Sequence, residues 1–299
     1  MPVLAAGYIL AGLTSALMVV VRATVADTTE PSDRPAAFGY VGAVLAPLGL
    51  RAPFFASAAV MLIAGTLVVT RMPESREDRP PSMRLADLAP WNGLRELGKV
   101  PVVASLAWTV GCSAFALQVL IGTWVPSASL RFGLGVQGNG LLLAAVGISS
   151  AIGQALVVPR LVPKLGLRRS VLLGLSVSVA TYLGYTFAPN LVIFGVVLVV
   201  GALAAVDEPA IDTIVSESTD EDLQGTVQGG LASINSFMGI IGPIVGTGLF
   251  ALTTGPRAVV PFSGSQFLAG AIASVVGLAL AIQTLRRFPL PDRSSASRA

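Results

Sequence analysis

The sequence predicts an all-α membrane protein, a helix bundle with about eight transmembrane helices. Charged residues make up only 12% of the chain and hydrophobic residues 54%, whereas a soluble domain carries about 25% charged residues. The apolar residues form continuous blocks of about 18 to 25 residues, and about 20 are needed to cross a bilayer. Buried helices of a large soluble protein do not explain so many blocks of this length in a chain of 299 residues.

Turn and charge signals separate the apolar blocks and define the predicted spans. These spans are Val3–Ala26, Ala52–Thr70, Val100–Trp124, Gly138–Val158, Ser170–Phe187, Leu191–Ile214, Gly229–Leu252 and Phe267–Leu285. The longest polar segment, residues 71–99, lies between the second and third spans. The prediction is therefore a partial N-terminal transmembrane half (1–70), a linker (71–99), a complete C-terminal half of six spans (100–285) and a tail (286–299).

The distribution of lysine and arginine predicts the orientation of the chain. Short cytoplasmic loops are enriched in these residues. The linker and the tail are rich in arginine, and a basic loop follows the fourth span with Arg160, Lys164, Arg168 and Arg169. We therefore expect a multi-pass protein of the cell membrane, such as a bacterial inner membrane. The linker, this loop and the C-terminus are expected to lie in the cytoplasm.

The composition argues against most enzyme classes. The chain has no histidine, and its single cysteine, Cys112, lies inside an apolar block. The common zinc sites and the nucleophile–histidine pairs are therefore absent, and no intrachain disulfide can form. We expect no enzyme activity, no metal and no cofactor. Nucleic-acid binding has no support, because topology already explains the cytoplasmic arginines.

Three carboxylates in "GALAAVDEPAIDTIV" are the candidates for proton coupling: Asp207, Glu208 and Asp212. A charge at membrane depth costs at least about 2.5–3.5 kcal/mol, so such a residue normally faces a cavity or a partner. Burial favours the protonated carboxyl, which suits reversible protonation. Glu208 and Asp212 share a helix face, with Asp207 turned about 100° away. The alternative is that the block ends early and these acids lie in cytoplasmic water.

Two further sets of residues stand out within the spans. Gln118, Asn235 and Gln154 are candidates for a substrate cavity, although they can equally form hydrogen bonds between helices. Small residues spaced along one span allow close helix approach in lipid, and the predicted packing motif is Gly239, Gly242, Pro243 and Gly246. Trp124, near the predicted outer end of its span, is expected to be an interfacial anchor.

Several segments resemble the major facilitator superfamily, in its branch of tetracycline-type drug:proton antiporters. They are "AGYILAGLTSAL", "VADTTEPSDRPAAFG", "VPRLVPKLGLRRS" and "DEPAIDTIVSESTDEDLQGTVQGGLASINSFMGIIGPIVG". The resemblance implies two halves of six helices around a central cavity. By this comparison Val3–Ala26 corresponds to the fourth helix and Ala52–Thr70 to the sixth. The first three helices and most of the fifth, with its Gly-Pro antiporter motif, are missing.

The resemblance implies a proton-coupled carrier that exports a small organic compound or drug by alternating access. Its partners would be the lipid bilayer, a small-molecule substrate and protons, and Asp207 or Glu208 would carry the proton. The alternative is a non-transporting remnant, or a helix bundle that assembles with another chain. Two spans cannot form a six-helix wall, so a homo- or hetero-oligomer would complete the N-terminal half.

Overall fold

The computed structural model describes residues 62, 66, 95, 97–255, 258 and 261–288, without the side chains of residues 221 and 222. The chain divides into two compact units, residues 1–87 and 88–299. In the first unit, Leu62 and Thr66 lie in a helix within the predicted span Ala52–Thr70, and the Thr66 hydroxyl donates to the Leu62 carbonyl at 2.7 Å. The predicted N-terminal half otherwise lies outside the described residues, as do most of the linker and the tail after Phe288.

The described part of the second unit consists of helices. They are α1 (Pro101–Phe132), α2 (Val136–Ile152), a π-helical segment (Gly153–Val157), α3 (Val158–Leu165), α4 (Leu167–Phe187), α5 (Leu191–Gly201), a 3₁₀ turn (Ala202–Val206), α6 (Asp207–Glu217), α7 (Glu221–Thr254) and α8 (Ser265–Arg287). We call the two irregular pieces the π segment and the 3₁₀ turn. Because α2 runs through the π segment into α3, and α5 through the 3₁₀ turn into α6, these helices form six spans of membrane length. The predicted all-α bundle with six C-terminal spans is confirmed.

Local sequence accounts for the helix ends. Pro101 occupies the first turn of α1. A proline is tolerated there because a backbone N–H at this position would have no hydrogen-bond partner within the helix. Gly133 ends α1 with φ of 65°, a left-handed conformation that favours glycine. Gly166, with φ of 75°, separates α3 from α4. The side chain of Asn190 accepts a hydrogen bond of 3.0 Å from the Ile193 N–H and caps α5.

The bundle is held at its two ends by separate buried clusters. α1 packs against α7 and α8, while α4 packs against α8 and against the span formed by α5, the 3₁₀ turn and α6. The end near the α3–α4 loop, which we call the basic end, is filled by aliphatic side chains such as Leu106, Leu175 and Ile214. The opposite end is filled by aromatic side chains: Trp124, Tyr185, Phe194 and Phe267.

The expectation that Trp124 anchors the chain at the membrane interface is wrong. The indole is only 5% exposed. Its ring centre lies 5.2 Å from that of Phe194 and 5.7 Å from that of Tyr185. The span was predicted to end at Trp124, but α1 continues through Pro126 to Phe132. Trp124 therefore lies inside the bundle.

Candidate proton and substrate site

Asp207 lies well inside the fourth described span. It is the first residue of α6 and follows the 3₁₀ turn directly. The span Leu191–Glu217 has 27 residues, which corresponds to about 40 Å of helix around a hydrocarbon core of about 30 Å. Asp207 is about 24 Å along this span from Leu191. A span centred in the bilayer therefore places the carboxyl within the hydrocarbon core, and the helix does not end before it.

The side chain of Asp207 is half-buried against α4. It lies close to the bare backbone of Gly174: a Cβ atom added to Gly174 would lie 2.6 Å from the Asp207 Cβ. The flanking residues Val206 and Ala210 are completely buried. One carboxylate oxygen accepts a hydrogen bond of 2.7 Å from the Glu208 N–H.

The other two acidic candidates have a different environment. Glu208 and Asp212 are exposed, and both take part in polar or electrostatic interactions. They lie four residues apart and so share one face of α6. The structure therefore separates the three candidates into one half-buried acidic residue packed next to α4 and two exposed ones.

The irregular backbone of this span lies before Pro209 and not at it. Pro209 cannot donate a hydrogen bond to the Ala205 carbonyl, but the irregular backbone occupies Ala202–Val206, before the proline. A stretch of 3₁₀ helix inside a longer helix often marks a hinge or a strained sequence. The sequence "ALAAV" gives no sign of it, because alanine and leucine favour an α-helix and a single valine is tolerated in one.

A second irregular segment packs against the 3₁₀ turn. The π segment contacts the turn through Gly153, whose added Cβ would lie 2.8 Å from the Ala202 carbonyl oxygen and 3.1 Å from the Ala205 Cβ. Single π-helical turns are rare and occur frequently at functional sites. Gln154, the third candidate for the substrate cavity, is exposed within this segment. No contact joins it to Gln118 or Asn235 among the residues that the structure describes.

Gln118 and Asn235 are brought to one side of the α1–α7 interface. The Gln118 Nε2 atom would lie 2.8 Å from a Cβ added to Gly239. Asn235 precedes Gly239 by one helical turn and so lies on the same face of α7. Gln118 is half-buried and Asn235 exposed, and within residues 97–255 and 261–288 neither amide forms a hydrogen bond. Each side chain can both donate and accept one.

The Gly-Pro residues of α7 lie directly against α1. A Cβ added to Gly242 would lie 2.6 Å from the Gln118 Cβ, and one added to Gly246 would lie 3.0 Å from the Val119 Cγ1. Pro243 faces Gly122, whose added Cβ would lie 3.0 Å from the proline Cα. Both helices therefore need small residues where they meet.

The four residues of the basic loop all reach the surface at the basic end. Arg160 and Lys164 lie on α3 and Arg168 and Arg169 on the first turn of α4, on the two sides of Gly166. The Arg160 guanidinium donates a hydrogen bond of 3.1 Å to the Leu156 carbonyl. Their exposure fits a loop in contact with water or lipid headgroups.

Arg131 has a structural role that sequence reasoning missed. Its guanidinium donates two hydrogen bonds of 2.7 Å, to the carbonyls of Tyr185 and Ala188 at the end of α4. It also lies 5.3 Å from the ring centre of Phe132 and 5.8 Å from that of Phe267. The sequence carries no signal of this role, because the acceptors are backbone carbonyls.

Six helices of membrane length among the described residues, with a half-buried carboxylate and amide side chains at a helix interface, indicate a polytopic membrane protein. The profile of the family described as Major Facilitator Superfamily matches residues 1–243. The chain therefore belongs to the Major Facilitator Superfamily of membrane transporters, and the family resemblance found in the sequence is confirmed.

Curated relatives lie in the expected branch. The chain is 28% identical over 290 residues to the class C tetracycline resistance protein of Escherichia coli, covering 92% of this chain and 72% of that protein. It is also 28% identical to the class G protein of Vibrio anguillarum, again covering 92% and 72%. Identity to the human Hippocampus abundant transcript 1 protein is 24%, covering 96% of this chain and 67% of that protein.

Solved structures support the fold. The human organic anion transporter MFSD10 (TETRAN) has a TM-score of 0.65 at 22% identity, covering 86% of this chain and 66% of that one. The transporter FucP in its outward conformation has a TM-score of 0.55 at 16% identity, with coverages of 79% and 55%. The chain thus spans between about half and two thirds of these structures.

Proposed function

We propose that this transporter exports a small organic compound or drug in exchange for protons by alternating access, and that Asp207 carries the proton. The observation that supports this role is the position of Asp207. It is a half-buried carboxyl at membrane depth, packed against the bare backbone of Gly174. Glu208 and Asp212, which are exposed, are secondary candidates.

The surroundings of Asp207 suggest how the uptake of one proton can change the conformation of the transporter. The charged carboxylate is costly beside apolar side chains such as Val206 and Ala210. The Glu208 N–H offsets part of this cost by donating to it. Taking up a proton removes the charge and weakens this hydrogen bond. Protonation therefore changes the free energy of burying this part of α6, which is what a proton-driven change of access requires.

The amides at the α1–α7 interface are the proposed contacts for the substrate. Gln118 of α1 meets α7 at Gly239, one turn from Asn235, and both amides can donate and accept hydrogen bonds. They suit a polar organic compound rather than a simple ion. Gln154 on the π segment is a separate and weaker candidate. The names of the bacterial relatives, which are tetracycline resistance proteins, make tetracycline the first substrate to test.

The proposed topology places the basic end in the cytoplasm. The support is the exposed set of basic residues at that end, Arg160, Lys164, Arg168 and Arg169, together with the rule that cytoplasmic loops are enriched in arginine and lysine. By the same argument the linker 71–99 and the tail 286–299 face the cytoplasm.

The test uses the full chain purified and reconstituted into liposomes that contain a pH-sensitive dye. Adding tetracycline should drive proton movement across the membrane in the wild-type protein. Asp207→Asn should abolish this movement, while Asp220→Asn, which alters an exposed carboxylate between α6 and α7, should leave it intact. Full proton movement with Asp207→Asn would refute the role of Asp207. No movement with wild type, for tetracycline or a panel of related drugs, would refute the proposed exchange.

A further inference from the structure

The 3₁₀ turn before Asp207 is held on two of its faces by glycine. We propose that Gly174 and Gly153 are positioning residues for Asp207, because their bare backbones hold Ala202–Val206 in its 3₁₀ form and that form sets the direction and depth of the carboxyl. The inference rests on the proposed function only where it concerns proton transport. The placement of Asp207 is a structural matter that can be measured separately.

Gly174 makes the closer of the two contacts. A Cβ at this position would lie 2.8 Å from the Ala204 carbonyl oxygen and 2.8 Å from the Asp207 backbone nitrogen, besides 2.6 Å from the Asp207 Cβ. Favourable contacts between carbon atoms are about 3.5–4.0 Å long. Because two of these three atoms belong to the backbone, no change of rotamer could make room. Any side chain at residue 174 would push the turn and Asp207 away from α4.

Gly153 contacts a different face of the same 3₁₀ turn. Its added Cβ would meet the Ala202 carbonyl oxygen at 2.8 Å and the Ala205 Cβ at 3.1 Å. Residues three apart share a face in a 3₁₀ helix, which has three residues per turn. Gly153 therefore meets the face of residues 202 and 205, while Gly174 meets the face of residues 204 and 207.

The form of the turn decides where the Asp207 side chain is directed. A 3₁₀ helix advances 120° and about 2.0 Å per residue, and an α-helix about 100° and 1.5 Å. If the five residues Ala202–Val206 became α-helical, Asp207 would turn by about 100° relative to α5 and move about 2.5 Å along the axis. The Asp207 Cβ would then no longer lie against Gly174. Holding the turn thus selects the environment in which Asp207 gains or loses its proton, next to the Glu208 N–H.

The chain supplies a matched control for each glycine. Gly195 lies on α5 in the same span as Asp207, and Gly147 lies on α2 before the π segment. A Cβ added to either meets nothing within 4 Å. The test variants are therefore Gly174→Ala and Gly153→Ala, with Gly195→Ala and Gly147→Ala as controls for helix propensity and expression.

The first measurement reports the direction of residue 207 without using transport. Cys112 is the chain's single cysteine, so Asp207→Cys in a Cys112→Ala background places one thiol at the site. We expect Gly174→Ala and Gly153→Ala to change the rate of its reaction with a small methanethiosulfonate reagent several-fold. The two control variants should leave the rate unchanged. A second reporter, Val199→Cys on α5 before the turn, should react equally in all five backgrounds and so exclude general unfolding.

The second measurement uses native Asp207 and the liposome assay. Gly174→Ala should lower tetracycline-driven proton movement by about tenfold or more, the factor that a misfit of about 1.4 kcal/mol gives, and should displace its pH profile. Gly195→Ala should preserve both. Equal reactivity of the thiol at position 207 in all variants would overturn the inference. Altered reactivity without proton movement in wild type would leave the inference standing and overturn the proposed function.

Discussion

The guanidinium of Arg131 in α1 donates a hydrogen bond of 2.7 Å to the carbonyl of Tyr185 in α4. Its second nitrogen reaches the Ala188 carbonyl at the same distance. Carbonyls in the last turn of a helix have no intrahelical N–H partner. Arg131 therefore satisfies the end of α4 from a neighbouring helix.

Removing the Arg131 side chain should loosen the aromatic end of the bundle. Hydrogen bonds to charged groups contribute about 1.5–3 kcal/mol each, so Arg131→Ala should lower the unfolding free energy by about 2 kcal/mol or more. The unfolding free energy of Arg131→Lys should lie between those of the wild type and Arg131→Ala, because an ammonium lacks the forked geometry with which a guanidinium reaches both carbonyls. Thermal unfolding in detergent measures this. Arg169→Ala, at an exposed position, is the control, and equal losses in both variants would contradict the role.

The α1–α7 contact should not tolerate a methyl group at Gly242. Its Cβ would lie 3.1 Å from the backbone nitrogen of Val119, in addition to its clash with the side chain of Gln118. Overpacking of this kind costs about 1–3 kcal/mol. Gly248→Ala on the same helix, where a Cβ meets nothing within 4 Å, should be neutral or slightly stabilising. Unfolding of the two variants by heat tests this, and equal stability would show that α7 can shift freely.

Gln118→Ala should weaken drug binding more than it weakens proton movement at saturating drug. One lost hydrogen bond of about 0.5–1.5 kcal/mol corresponds to about a threefold to tenfold loss of affinity. Equilibrium binding of tetracycline, followed by its fluorescence, measures the loss. Ser236→Ala, next to Asn235 and exposed, is the control. Unchanged affinity in both Gln118→Ala and Asn235→Ala would remove these amides from the substrate site.

Gln266 should be a stabilising residue of the aromatic end. It is completely buried, and its Nε2 donates hydrogen bonds of 3.0 Å to the Ser127 hydroxyl and 3.1 Å to the Ser263 carbonyl. Gln266→Leu keeps the volume but leaves these acceptors unpaired, which costs about 1–3 kcal/mol. The double variant Gln266→Leu with Ser127→Ala should recover part of the loss. Thermal unfolding of both variants measures it, and no recovery would mean that the Ser127 contact is energetically unimportant.

The sequence predicted the six C-terminal spans, because apolar length alone determines what can cross a bilayer. It did not predict the 3₁₀ turn, since its form depends on Gly153 and Gly174, which come from two other spans. It misplaced Trp124, because Pro126 and the polar residues after it looked like a helix end although packing carries α1 on to Phe132. It did not predict the role of Arg131, because the acceptors are backbone carbonyls of Tyr185 and Ala188 and no side-chain pattern indicates them.

Because the helices differ in length, the thickness of the host membrane should affect the position of the Asp207 side chain. α4 has 21 residues and α7 has 34, so they extend about 32 Å and about 51 Å. A long helix can adapt to a thicker bilayer by changing its tilt, whereas α4 barely exceeds a hydrocarbon core of about 30 Å. Thickening therefore strains α4 first, and α4 carries Gly174. Lipid chain length is thus a direct way to perturb Asp207 without changing a single residue.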